Sequence, residues 1–185
     1  MHENYLHPIA RNLIQPDEEI FRIFYYDAPP FSGTLTNPIN QQSSDYSQLL
    51  TFSAASSFQK NLAEKDLLAL RAGKLAFEGW KISDGFMKKI KTGFIPQNIS
   101  PSDLKPSFKQ KAVDIKIGLD IASLAIKRLV DKIVLITADT DFIPAMKLAR
   151  REGLRITIVK IDHHISSDLK QHADEVIDFD WAKIT

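Results

Sequence analysis

Lys132-Ile133-Val134-Leu135-Ile136-Thr137-Ala138-Asp139-Thr140-Asp141-Phe142 is the stretch on which the fold turns. Its first six residues form a short apolar run of the kind buried on both faces of a parallel sheet, and the run ends on a turn with two carboxylates. Behind the turn, Asp141 to Glu152 has helical spacing closed by Gly153, and Arg155-Ile156-Thr157-Ile158-Val159 reads as another strand. Ser166 to Ala173 then predicts a short helix and Glu175 to Phe179 a short last strand. Ahead of the turn, Val113 to Leu129 repeats apolar residues at helical spacing. Strands alternating with helices are βαβ units, so the expectation is an α/β chain with a mainly parallel sheet and helices on both faces.

Further out the signals thin. Phe21 to Tyr26 is dense in aromatic and β-branched residues and is stopped by Asp27-Ala28-Pro29-Pro30, which predicts a strand and a turn. Asn4 to Leu13 reads as a helix, Ser32 to Ser44 as a loop, and Asp45 to about Ala72 as one long amphipathic helix ended by Gly73. Leu75 to Ile82 reads as a strand weakened by Gly79. From Ser83 to Lys111, Pro96, Pro101 and Pro106 prevent a long helix, and an irregular connection is expected. The span from Lys81 to Lys111 holds seven lysines against Asp84 and Asp103, a local excess of +5.

The 185 residues predict one domain, 1–185, with a single buried core. At 44% apolar and 25% charged the chain is ordinary globular protein, which excludes disordered, collagen-like and coiled-coil readings. The formal charge is only +1, so a nucleic-acid partner needs a local patch rather than a global field. With no cysteine, disulfides, thiolate zinc sites and cysteine nucleophiles are excluded together. There is no apolar run long enough to cross a membrane, and Met1 to Ala10 lacks the apolar stretch of a signal peptide, so a soluble cytoplasmic protein is expected.

In an open parallel sheet ligands bind beyond the carboxyl ends of the strands, and the residues there are acidic. Asp139 and Asp141 flank one turn, Asp114 opens the preceding helix, and Asp120 follows in that helix about 240° around its axis. Carboxylates without cysteine or histidine suit a hard cation, Mg²⁺ or Mn²⁺, and through it phosphodiester chemistry. Each acid also has a plainer reading. Asp141 precedes a helix with Pro144 in its first turn and is a natural N-cap, as is Asp114; Asp120 can be a solvated helix residue. Asp27 is a turn former or a residue on the rim of the site. The Thr137 hydroxyl and the amides after Asp139, with Thr140, are candidate phosphate contacts if a cation intervenes. The basic stretch Lys81 to Lys111 reads either as a track for a phosphate backbone, with Lys109 and Lys111 as candidate substrate contacts and Phe86, Phe94 and Phe108 stacking bases, or as a solvated loop with its aromatics turned into the core. Lys147, Arg150, Arg151 and Arg155 read as an exposed helix face.

Lys111-Ala112-Val113-Asp114, then Asp120, then Thr137-Ala138-Asp139-Thr140-Asp141-Phe142-Ile143-Pro144 and Gly153 resemble the NYN domain family, the LabA-like branch of the PIN-like ribonucleases. That family runs K-G-V-D, a later D, and S-G-D-x-D-F with a glycine some ten residues on. Ser167-Asp168-Leu169, Ala173-Asp174 and Ile177 match its closing helix and strand, and Tyr25-Tyr26-Asp27-Ala28-Pro29 its second strand. The resemblance implies a three-layer PIN-like Rossmannoid of about five strands and a metal-dependent endoribonuclease acting on single-stranded RNA. Asp114, Asp139 and Asp141 are then the implied Mg²⁺ or Mn²⁺ ligands and catalytic residues, with Asp120 weaker. Ala112 replaces the family's glycine and Thr137-Ala138 its Ser-Gly. The family's first, central strand, which ends in D-G-x-N, has no counterpart in these residues; weak metal binding and slow RNA cleavage by residues 1 to 185 alone are expected. Self-association is left open.

Three other readings compete. Ile161-Asp162-His163-His164 resembles the DHH phosphoesterases, although their further aspartate motifs and second domain are missing. Asp139-Thr140-Asp141 resembles the nucleophile motif of haloacid-dehalogenase-like phosphatases, except that Ile143 stands where Thr or Val belongs. A degenerate NYN module that binds RNA or a protein without cutting is the non-enzymatic alternative.

Overall fold

The structure is a computed structural model and describes residues 5–162 and 164–183. The chain opens with helix α1 (Leu6–Asn12) and strand β1 (Ile23–Asp27). A small hairpin follows, β2 (Thr34–Thr36) with β3 (Ser43–Asp45), inside the stretch expected to be loop. Helix α2 (Leu50–Ala63) ends well before Ala72, and Leu68–Ala72 is strand β4. The expected helix therefore breaks: Leu67 takes a positive φ of 56°, and β4 pairs parallel with β1, Ile23 opposite Leu68 through Asp27 opposite Ala72. Leu-Ala-Leu-Arg-Ala favours helix locally, and pairing with β1 overrides that weak preference.

Strand β5 (Lys74–Ile82), helix α3 (Asp84–Lys91) and strand β6 (Leu104–Lys111) come next. The region expected to be irregular is thus largely an antiparallel ribbon, with Lys74 opposite Lys111, Phe77 opposite Phe108 and Lys81 opposite Lys105. A bulge between Phe77 and Trp80, at Gly79 (φ 106°), shifts the register by one residue. Pro106 is accommodated beside it, opposite Trp80, where the ribbon tolerates a missing N–H.

The carboxyl-terminal half follows the expected order. Helix α4 (Val113–Ile126) leads to β7 (Lys132–Leu135), α5 (Ile143–Arg151), β8 (Arg155–Lys160), α6 (Ser167–Gln171) and β9 (Glu175–Asp178). β7, β8 and β9 form a parallel ladder. Every side chain from Ile156 to Val159 is buried, as the apolar run requires. On one face, Ile156 and Ile158 pack with Ile121 and Ala125 of α4, Met146 and Ala149 of α5 and Leu169 of α6. On the other, Val159 packs with Ile9 and Leu13, from α1 and its end.

In place of one sheet of about five strands, nine strands among the described residues fall into four separate ladders. Among those residues no strand joins β1–β4 to β7–β9; α4 packs beside both. The mixed α/β architecture, with helices over both faces of β7–β9, is the part of the expectation that the molecule displays.

Candidate functional site

The turn after β7 is built from its own side chains. The Asp141 N–H donates to Asp139 Oδ1 at 2.9 Å, and the Asp139 N–H donates to Thr137 Oγ1 at 3.1 Å. Asp139, rather than Asp141, is therefore the cap, because a single 3₁₀ turn, Thr140–Phe142, intervenes before α5. Buried Phe142 pins this turn, while Asp139, Thr140 and Asp141 are exposed. The 140–142 turn packs against α4.

At the amino end of α4 a second junction forms. Ala112 caps the helix with φ 66°, a left-handed conformation that glycine adopts freely and alanine only at a cost of about 1 kcal/mol. Asp114 is exposed in the first helical turn and Val113 is buried. Gly73 lies so close to this junction that a Cβ there would stand 2.7 Å from the Lys111 carbonyl oxygen and 2.6 Å from a Val113 methyl. Gly73 in turn donates its N–H to the Asp27 carbonyl at 2.7 Å. The Asp27 carboxylate, half-buried at the end of β1, accepts from the Ala28 N–H at 2.8 Å, Gln59 Nε2 at 2.9 Å and Gln110 Nε2 at 3.2 Å. Asp27 and the Lys111–Asp114 segment thus share one junction, fastened by Gln59 and Gln110.

Asp120 is neither the solvated residue nor the open cation ligand that the sequence suggested. It is 9% exposed and faces β1 and β4, where it accepts from Arg71 Nε at 2.7 Å, from Arg71 Nη2, and from the Tyr26 hydroxyl at 2.9 Å. Burial works against its charge, but the Arg71 guanidinium and Tyr26 hydroxyl outweigh it and hold the carboxyl below its usual range. The same burial, reinforced by the Asp120 charge, pushes the Tyr26 phenol up. Arg71 had no signal in the sequence because its strand was read as helix; Gln59 and Gln110 had none because polar amides in a helix and a strand are ordinary.

No three histidine, aspartate or glutamate side chains among the described residues gather closely enough to hold a metal ion. The carboxylates present therefore do not fit a divalent-cation centre as they stand: Asp139 joins Asp141, Asp27 joins the Asp114 junction, and Asp120 is spent on Arg71.

The aromatic candidates turn inward. Phe86 is buried, and Phe108 packs on Phe31, Tyr46 and Phe77; only Phe94, edge-on to Phe86, is half exposed. Lys147, Arg150, Arg151 and Arg155 line a shallow concavity at the amino end of β8, where Arg150 pairs with Asp174. His163 lies outside the described residues; Asp162 accepts from the Trp181 indole at 3.1 Å.

The sequence profile of the NYN domain family matches residues 74–180. An uncharacterized protein of Methanocaldococcus jannaschii is 29% identical over 73 residues, 40% of this chain, and the match spans about a third of its own length, 30%. A crystal structure of a protein of unknown function from Vibrio parahaemolyticus covers 66% of this chain and 77% of its own, at 18% identity and a TM-score of 0.33, a likeness too slight to inform the fold. No helix among the described residues is long and apolar enough to cross a membrane.

Proposed function

Since the chain belongs to the NYN domain family, we propose that it acts on single-stranded RNA as an endoribonuclease, with Asp139 and Asp141 beyond β7 and Asp114 at the head of α4 as its acidic residues. The observation that supports this reading is the self-capped turn: Asp139 spends one oxygen on the Asp141 amide, and both carboxylates stay exposed at the carboxyl end of a parallel strand. Thr137 braces that turn; the same proposal takes Asp27 as the rim of the site and Lys109 and Lys111 as substrate contacts. Hydrolysis of this kind calls for Mg²⁺ or Mn²⁺, and the described residues alone do not assemble the ligands for it. Weak binding of such an ion and slow cleavage are the outcomes this proposal expects.

The test is to incubate a labelled single-stranded RNA with the protein and Mn²⁺, beside Asp139→Asn. Slow cleavage by the wild type, lost in the variant while RNA binding persists, supports the enzyme. The scattered carboxylates favour one second reading, an NYN module that binds RNA without cutting. Equal binding and no cleavage by either protein establishes that reading and removes the first.

A further inference from the structure

The ribbon of β5 and β6 sorts its residues by face in a way no local pattern announces. Partners directly opposite in an antiparallel ladder share a face, and alternate residues along a strand change face. Leu75, Phe77, Trp80 and Ile82 therefore share one face with Gln110, Phe108, Pro106 and Leu104. This face turns to the body of the molecule: Phe77 and Phe108 pack on Phe31, and Gln110 reaches Asp27. The opposite face collects Lys74, Lys81, Lys105, Lys109 and Lys111, with only Ala76, Ser107 and Glu78 among them. The bulge at Gly79 makes this possible, because without the extra residue Lys81 would point with Trp80's partners into the body.

Like charges stand directly opposite in this ribbon, Lys74 against Lys111 and Lys81 against Lys105, an arrangement that costs stability in the free protein. Two acids offset it in part, Glu78 at 3.6 Å from Lys111 and Asp84 on Lys105. Lys74, Lys81 and Lys109 enter no ion pair among the described residues and are exposed. Residues 74–111 hold eight lysines and three carboxylates, +5, in a chain whose total is +1, so the remainder is −4. From Lys105 to Lys111 the lysine face runs about 20 Å. Its Lys74–Lys111 end is fixed at the acidic junction by Gly73, Asp27 and Gln110.

We propose that the outer face of the β5–β6 ribbon is a track for the phosphate backbone of single-stranded RNA, leading the strand to the acidic junction at Asp27 and Asp114. The inference rests on the reading of the chain as acting on RNA. With Phe77 and Phe108 turned away, the track grips phosphates and reads no bases, so affinity is insensitive to base identity and steep in salt.

The experiment measures binding of labelled oligouridylate and oligoadenylate by fluorescence anisotropy across a salt series. It compares wild type, Lys74→Gln/Lys81→Gln/Lys109→Gln, and a charge-matched control, Lys127→Gln/Arg128→Gln/Lys147→Gln, with circular dichroism confirming the fold of each. Losing three phosphate contacts lowers the slope of log K against log salt by about 2, and near 0.1 M salt weakens binding on the order of 100-fold. The control binds like wild type, and the two oligonucleotides bind alike. If wild type binds RNA and the ribbon variant matches it in affinity and slope, or if the control falls equally, the track is overturned while the RNA reading stands. A marked preference between the two oligonucleotides overturns backbone-only gripping. If wild type binds neither oligonucleotide, or binds only anionic lipid vesicles, both the track and the RNA reading fall.

Discussion

Replacing Arg71 with methionine keeps the aliphatic stem on β4 but removes both guanidinium bonds to Asp120. Asp120 is then 9% exposed with the Tyr26 hydroxyl as its remaining partner among the described residues. Breaking a fully buried pair by removing one side costs about 3 to 5 kcal/mol. Here the Arg71 side chain is 43% exposed, so water refills part of the gap and the loss is scaled down to about 2 kcal/mol. For a chain of this length that is a fall of roughly 4 to 8 °C in melting temperature at pH 7. The pH dependence carries its own sign. In the wild type the Asp120 carboxyl lies below its unfolded value, so its contribution is complete above about pH 4 and is lost as pH falls through the folded value. In Arg71→Met burial dominates and raises the carboxyl, so the deficit is largest at neutral pH and narrows as acid neutralises Asp120. Adding Asp120→Asn to Arg71→Met recovers part of the loss. Urea or thermal unfolding of the four proteins in the cycle, at pH 7 and pH 5, reads these quantities. A loss under about 0.5 kcal/mol for Arg71→Met, or strictly additive effects in the cycle, would refute the assignment of Asp120 to a structural ion pair.

Three further outcomes follow from the junctions. Ala112→Gly relieves the left-handed strain at the head of α4 and raises stability by about 0.5 to 1 kcal/mol, read as a higher urea midpoint at unchanged slope. Gly73→Ala drives a methyl against the Lys111 carbonyl and Val113; it costs about 1 to 3 kcal/mol and, on the proposed RNA track, weakens RNA binding by parting the ribbon from the Asp27–Asp114 junction, whereas unchanged stability and binding would contradict the close approach. Asp174→Ala leaves the Ile156 N–H, bonded at 2.8 Å, and Arg150 without their partner; a loss of about 1 to 3 kcal/mol is expected in thermal unfolding.

The carboxyl-terminal half was legible in the sequence because its instructions are local. The run Ile133–Leu135, the Asp-Thr-Asp turn, the helical spacing after it and the buried Ile156–Val159 strand each point to the same element from a few neighbouring residues. The family, too, could be read from motif residues at 111–114 and 137–144, and the profile match confirms it.

Tertiary structure alone decided the rest, and the reason each time is a partner distant in sequence. Leu68–Ala72 has helical composition and becomes a strand because β1 lies alongside, more than forty residues away. Asp120 reads as an available carboxylate until Arg71, 49 residues earlier, takes its oxygens. The lysines from 81 to 111 read as a phosphate track or as a solvated loop alike until pairing across the ribbon, with one extra residue at its bulge, gathers Lys81, Lys105, Lys109 and Lys111 on a single face with Lys74. Local propensity and spacing fix what a segment prefers; which charges become neighbours is set by register, and register belongs to the whole chain.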